Sequence, residues 1–110
     1  VEFKTVVECD TFAKDTKGVY IIKWGANYCA PCKMLDVALD KMLAGDSIQG
    51  FTKIDMDVNP EVLIELGVTS IPYSRMYLDG EFKGAFNGVL NATIIFELLH
   101  PKPREESVTE

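Results

Sequence analysis

Apolar residues recur along the chain with periods that switch between two and about three and a half, and each switch marks a new element. Thr5-Val6-Val7 is short and β-branched and predicts an opening strand. Asp10 then offers an N-cap for a brief helix ending near Gly18. Val19 to Trp24 is nearly all apolar, which suits a central strand buried on both faces, with Lys23 as the misfit. From Pro31 to Ala44 the positions Met34, Leu35, Ala38, Leu39, Met42 and Leu43 predict an amphipathic helix stopped by Gly45. Phe51 to Met56 reads as a strand, and Asn59-Pro60 as the cap of a helix running to Gly67. Tyr73 to Leu78 and Glu81 to Phe86 form a hairpin about Asp79-Gly80. Asn91 caps a last helix with Ile94, Ile95, Leu98 and Leu99 turned inward.

This order predicts an α/β fold with a central mixed five-stranded sheet flanked by four helices, parallel in its first half and antiparallel at the hairpin. Residues 1–100 are expected to form one domain. The polar, proline-containing stretch 101–110 is expected to be a disordered tail.

Composition narrows the function. The 110 residues are 47% hydrophobic and 25% charged, the balance of an ordinary globular domain. The longest apolar runs, such as Thr93 to Leu99, fall far short of the roughly 20 residues a membrane span requires. With no basic-then-apolar leader, a soluble protein without membrane partners is expected, although an opening at Val1 leaves room for a removed targeting segment. A net charge of −6 with 11 scattered Lys and Arg argues against nucleic-acid binding. Three cysteines make no disulfide framework and leave one thiol unpaired, which fits a reducing compartment such as the cytoplasm.

Two of the cysteines carry the chemistry. Cys29-Ala30-Pro31-Cys32 follows an apolar strand and opens a helix, the setting in which C-x-x-C reads as a redox motif. Free N–H groups and the macrodipole at a helix N-terminus favour a thiolate, so Cys29 is expected to be partly ionised and nucleophilic. The spacing lets Cys32 reach back and resolve a mixed disulfide. A zinc site would need two more ligands, but only Cys9 and His100 remain, both isolated. No metal or other cofactor is expected. Cys9 reads as a small packing residue.

The run from Lys23 to Met34 resembles the active-site segment of thioredoxins, and the likeness extends over residues 3–100 through Lys53 to Asp57, Asn59-Pro60, Gly67 to Pro72, Asp79-Gly80-Glu81 and Gly88. The resemblance implies a thioredoxin fold and a monomeric protein-disulfide reductase regenerated by a thioredoxin reductase. Cys29 would attack and Cys32 would resolve. Ile71-Pro72 would be a cis peptide facing the pair, offering backbone hydrogen bonds to an extended disulfide-containing substrate, with Tyr28, Ala30 and Gly88 on the docking surface. Trp24 and Lys53 would support the site. Pro31 resembles the reducing members, since oxidases and isomerases usually carry histidine there. The competing functions are a non-catalytic binding subunit and a disulfide oxidase or isomerase.

Four positions depart from the family pattern. Ala30 replaces the usual glycine, and Val37 replaces a helix-kinking proline, so the helix is expected to run straighter. Lys23 stands where thioredoxins ordinarily bury an aspartate beneath the resolving cysteine. A buried ammonium needs a partner, and Asp36, one turn beyond Cys32 on the same helical face, is the candidate. The expectation is a Lys23–Asp36 pair under the cysteines, with Lys23 favouring thiolate and Asp36 taking part in proton transfer. Its rival has Lys23 reaching solvent and Asp36 as a surface charge. Arg75, beside Ser74 in an apolar strand, is assigned a salt bridge at the core edge.

Overall fold

The computed structural model describes residues 2–100. The tail expected over 101–110 lies outside the described residues. The chain runs α1 (Val6–Ala13), β1 (Val19–Gly25), α2 (Ala30–Ala44), β2 (Gly50–Asp55), α3 (Glu61–Leu66), β3 (Tyr73–Leu78), β4 (Glu81–Asn87) and α4 (Ala92–Leu99). Among the described residues the sheet has four strands, ordered β2-β1-β3-β4. β1 pairs in parallel with β2 and antiparallel with β3, which pairs antiparallel with β4.

The expected fifth strand is absent from this sheet. Thr5 is instead the N-cap of α1: its side chain accepts from the Glu8 N–H at 3.1 Å, while the Glu8 carboxylate accepts from the Lys4 N–H. Thr5-x-x-Glu8 is thus a variant of the capping box, whose reciprocal bonds outweigh the β preference of Val6 and Val7. The Val6 N–H goes to Glu65 on α3 at 3.0 Å and so is not free for a sheet partner. Asp10 accordingly sits inside α1 and caps nothing, and the helix ends at Ala13, well short of Gly18. At α3 the N-cap position falls to Pro60, with no side-chain bond. Asn59 is buried, and its N–H donates to the Asp55 carbonyl at 2.9 Å.

Strand alternation sends successive side chains to opposite faces, and each face builds its own core. Ile22, Trp24, Tyr73 and Tyr77 pack with Cys9 and Ala13 of α1 and Val62 and Leu63 of α3. Val19, Ile21 and Met76 pack on the other side with Leu35, Leu39 and Met42 of α2 and Ile95 of α4. β1 is buried on both faces, as its apolar run predicts. Of the inward set expected on α2, Met34 and Leu43 are exposed, because a helix buries a narrower stripe than all six positions would need. That helix runs from Ala30 to Ala44 with Val37 inside it.

Asp79 and Gly80 both take positive φ, 49° and 88°, and close the hairpin. Asn91 caps α4 by accepting from the Ile94 N–H at 2.9 Å. Arg75 is buried and pairs with Asp10 at 3.1 Å. No helix among the described residues is long and apolar enough to cross a membrane.

Candidate active site

β1 ends at Gly25, and four residues later α2 begins with Cys29 at its N-cap (φ −98°, ψ 109°). Extended backbone there lets the Cys29 sulfur accept from the Cys32 N–H at 3.2 Å. Pro31 occupies the first helical turn, where its missing N–H costs nothing. Cys29 and Cys32 are joined as a disulfide with Cα atoms 5.2 Å apart. Cys32 is buried, whereas Cys29 is only half-buried and flanked by exposed Tyr28, Ala30 and Pro31. An incoming thiol or disulfide therefore meets Cys29 first.

Across from the pair, the Ile71–Pro72 peptide is cis. The Ile71 carbonyl oxygen lies 4.0 Å from the Cys29 sulfur. Gly88, at φ +113°, donates its N–H to the Pro72 carbonyl at 2.8 Å, which ties the end of the hairpin to this peptide. The φ value explains why a glycine stands there. The Tyr28 hydroxyl donates to Asp57 at 3.3 Å, and the Asp57 charge holds that phenol above its ordinary range.

Beneath the cysteines the Lys23 side chain is 4% exposed, and Nζ donates to Asp36 Oδ1 at 2.7 Å. The pair foreseen from the sequence is present; the solvent-reaching lysine is not. Lys53 stands beside Lys23 in the β1–β2 register, and its Nζ is 3.9 Å from Asp36 Oδ2. Two like charges side by side on a sheet repel, and Asp36 answers both. The pair borders a cleft of about 180 Å³ that Gly25 and Asp55 also line. Trp24 lies on the opposite face of β1, packed against Tyr73.

Gly25 escaped the sequence reading. A Cβ there would come within 2.7 Å of Lys23 Nζ and 3.1 Å of Cys32 Sγ, so the bare glycine leaves open a space that both the ammonium and the sulfur border. A glycine closing a buried strand just before C-x-x-C was the available signal. Asp57, the partner of Tyr28, left no such trace. Among the described residues no group of three His, Cys, Asp or Glu side chains is placed to hold a metal ion.

A cysteine pair that closes into a disulfide at a helix N-terminus, one sulfur accessible and the other buried, defines a dithiol–disulfide oxidoreductase on an α/β sheet. A thioredoxin family model matches residues 2–100. The chain is 32% identical over 77 residues to a thioredoxin of Chlamydia muridarum, covering 69% of this chain and 76% of that protein. It is 36% identical over 78 residues to a thioredoxin of Staphylococcus epidermidis, covering 69% and 74%. Among solved structures, oxidised mitochondrial thioredoxin 3 from Saccharomyces cerevisiae superposes with a TM-score of 0.65 at 26% identity, covering 88% of this chain and 90% of that one. Fasciola hepatica thioredoxin shares the fold at a TM-score of 0.66 and 21% identity, covering 90% and 96%. The chain belongs to the thioredoxin family.

Proposed function

We propose that the protein is a monomeric, cytoplasmic protein-disulfide reductase, with Cys29 as nucleophile and Cys32 as resolving cysteine. The observation that carries this reading is the asymmetry of the pair: the half-buried Cys29 sulfur sits at the helix N-cap and the Cys32 sulfur is buried behind it. In the reduced protein the Cys29 thiolate attacks one sulfur of a substrate disulfide, a mixed disulfide forms, and the other substrate sulfur departs as thiolate. Cys32 then attacks Cys29. The Cys29–Cys32 bond forms, the bond to substrate breaks, and two electrons have passed to the substrate.

The Ile71 and Pro72 backbone, with Tyr28, Ala30 and Gly88 around it, receives an extended substrate segment. Pro31 keeps the first turn of α2 rigid, while Trp24 and Lys53 support the site from the sheet. A thioredoxin reductase returns the disulfide to the dithiol. Dithiothreitol-driven insulin reduction tests the activity: acceleration that is abolished in Cys29→Ser is the expected result, and indifference to that substitution would leave a binding module. The direction is tested by the reduction potential, expected well below the roughly −180 mV of protein disulfide isomerase. A more positive value overturns the assignment as reductant.

A further inference from the structure

Resting on the assignment of Cys32 as the resolving cysteine, we propose that Lys23 is a positioning residue. Its ammonium group holds Cys32 as a thiolate in the mixed disulfide, Asp36 restrains that cation, and resolution proceeds without a general base. Lys23 Nζ and Cys32 Sγ both border the space left open by Gly25, so no side chain at position 25 stands between the cation and the sulfur. An ammonium has three N–H donors, and Asp36 Oδ1 takes one at 2.7 Å. A thiolate at Cys32 is an acceptor for another.

The remaining charges around this point are few. α2 contributes Asp36, β2 contributes Lys53 and the cleft-lining Asp55, and β3 contributes only Ser74, which is neutral and lies beside Lys23 in register. The Ser74 hydroxyl is buried without a hydrogen-bond partner, so β3 adds no charge to oppose the lysine. Asp36 and Asp55 oppose it, but Lys53 offsets part of their effect, and the Lys23 ammonium borders the same Gly25 space as the sulfur. Attraction between unlike charges in a poorly hydrated site favours the ionised thiol.

The step balances without an added base. The Cys32 thiol gives up its proton to solvent before attack. The thiolate then forms a bond to the Cys29 sulfur, the Cys29–substrate bond breaks, and the electron pair leaves on the substrate sulfur, which takes a proton from solvent. Carboxylates are thus bystanders to the proton. Asp36 serves to keep Lys23 in place.

The test reads Cys32 ionisation by thiolate absorbance against pH in a Cys29→Ser background. Lys23→Met should raise the midpoint by about one pH unit or more, a tenfold loss of thiolate below both midpoints, with Lys23→Arg restoring most of it. Asp36→Asn should lower the midpoint and should not slow release of substrate from a mixed disulfide on Cys29 in the two-cysteine protein. An unmoved midpoint in Lys23→Met overturns the proposal, as does slower release in Asp36→Asn, which would make Asp36 a base. Should a single variant fail to fold, Lys23→Met/Asp36→Leu removes both charges at similar volume. Its midpoint is expected above the parent's, and a value at or below the parent's overturns the proposal. Failure of the two-cysteine protein to reduce insulin would sink the reductase reading while leaving this ionisation measurement intact.

Discussion

Replacing Asp10 with alanine should destabilise the protein by about 2–3 kcal/mol, far more than an ordinary helix-surface substitution. Asp10 Oδ1 accepts from the Tyr77 hydroxyl at 2.6 Å and from Arg75 Nη2 at 3.1 Å, and so fastens α1 to β3. Hydrogen bonds to a charged group are each worth roughly 1.5–3 kcal/mol, and leaving a buried partner unpaired adds to the loss. Two features reduce the sum. The Asp10 side chain is 45% exposed, so water screens its charge. Arg75 also keeps Tyr77 as acceptor at 3.0 Å and lies 4.0 Å from the Phe82 ring centre. Urea unfolding of the oxidised protein, followed by circular dichroism, should show a lower midpoint with an unchanged slope, together with a melting temperature roughly 10–20 °C lower. Asp10→Asn keeps an acceptor and should cost only about 1 kcal/mol. Arg75→Met combined with Asp10→Ala should be markedly less harmful than the two losses added. A cost below about 0.5 kcal/mol for Asp10→Ala would refute the reasoning and make the cluster a surface contact of no consequence.

Thr5→Ala should cost about 1 kcal/mol by removing the cap of α1, read as a shift in the same urea midpoint, while Thr5→Ser should be nearly silent. Gly25→Ala should cost about 1–3 kcal/mol and slow insulin reduction, because the new methyl would displace either Lys23 Nζ from Asp36 or the Cys32 sulfur. Cys9 is fully buried, and burial pushes its thiol up to about 12 against the opposing pull of Arg75. In the reduced native protein a thiol reagent at mildly alkaline pH should therefore spare Cys9 until the chain unfolds, as peptide mapping would show. The folded state holds the Cys9 proton more tightly than the unfolded state, so its contribution is intact below the ordinary value of 9.0 and is lost as pH rises toward about 12. The alkaline arm of the stability curve should flatten in Cys9→Ala.

Elements whose signals were redundant could be read from the sequence. α2 has a proline in the first turn, an apolar stripe and a terminal glycine, all of which agree; the hairpin has Asp79-Gly80 between two strand-like segments. The first ten residues had conflicting signals. Val6 and Val7 favour a strand while Thr5-x-x-Glu8 favours a helix start, and the bond from Val6 N–H to Glu65, 59 residues away, is information no local window contains. Asp10 was misread for the same reason: its role depends on Arg75 and Tyr77, which the fold brings to it from the third strand of the sheet.

The Lys23–Asp36 pair was legible because burial of one charge demands another. Once β1 was read as a strand buried on both faces, its lysine could not stand alone, and helical spacing from Cys32 left Asp36 as the residue within reach. Legibility stopped at the second cation. Whether Lys53 falls beside Lys23 or beside a neighbour depends on the β1–β2 register, and a slip of one residue would turn Lys53 to the other face. The same register decides the electrostatics of the site. With Lys53 in place, Asp36 is shared between two ammonium groups at 2.7 and 3.9 Å and does not belong to Lys23 alone. An isolated lysine–aspartate pair would keep the whole carboxylate for Lys23; the observed register divides it between two ammonium groups.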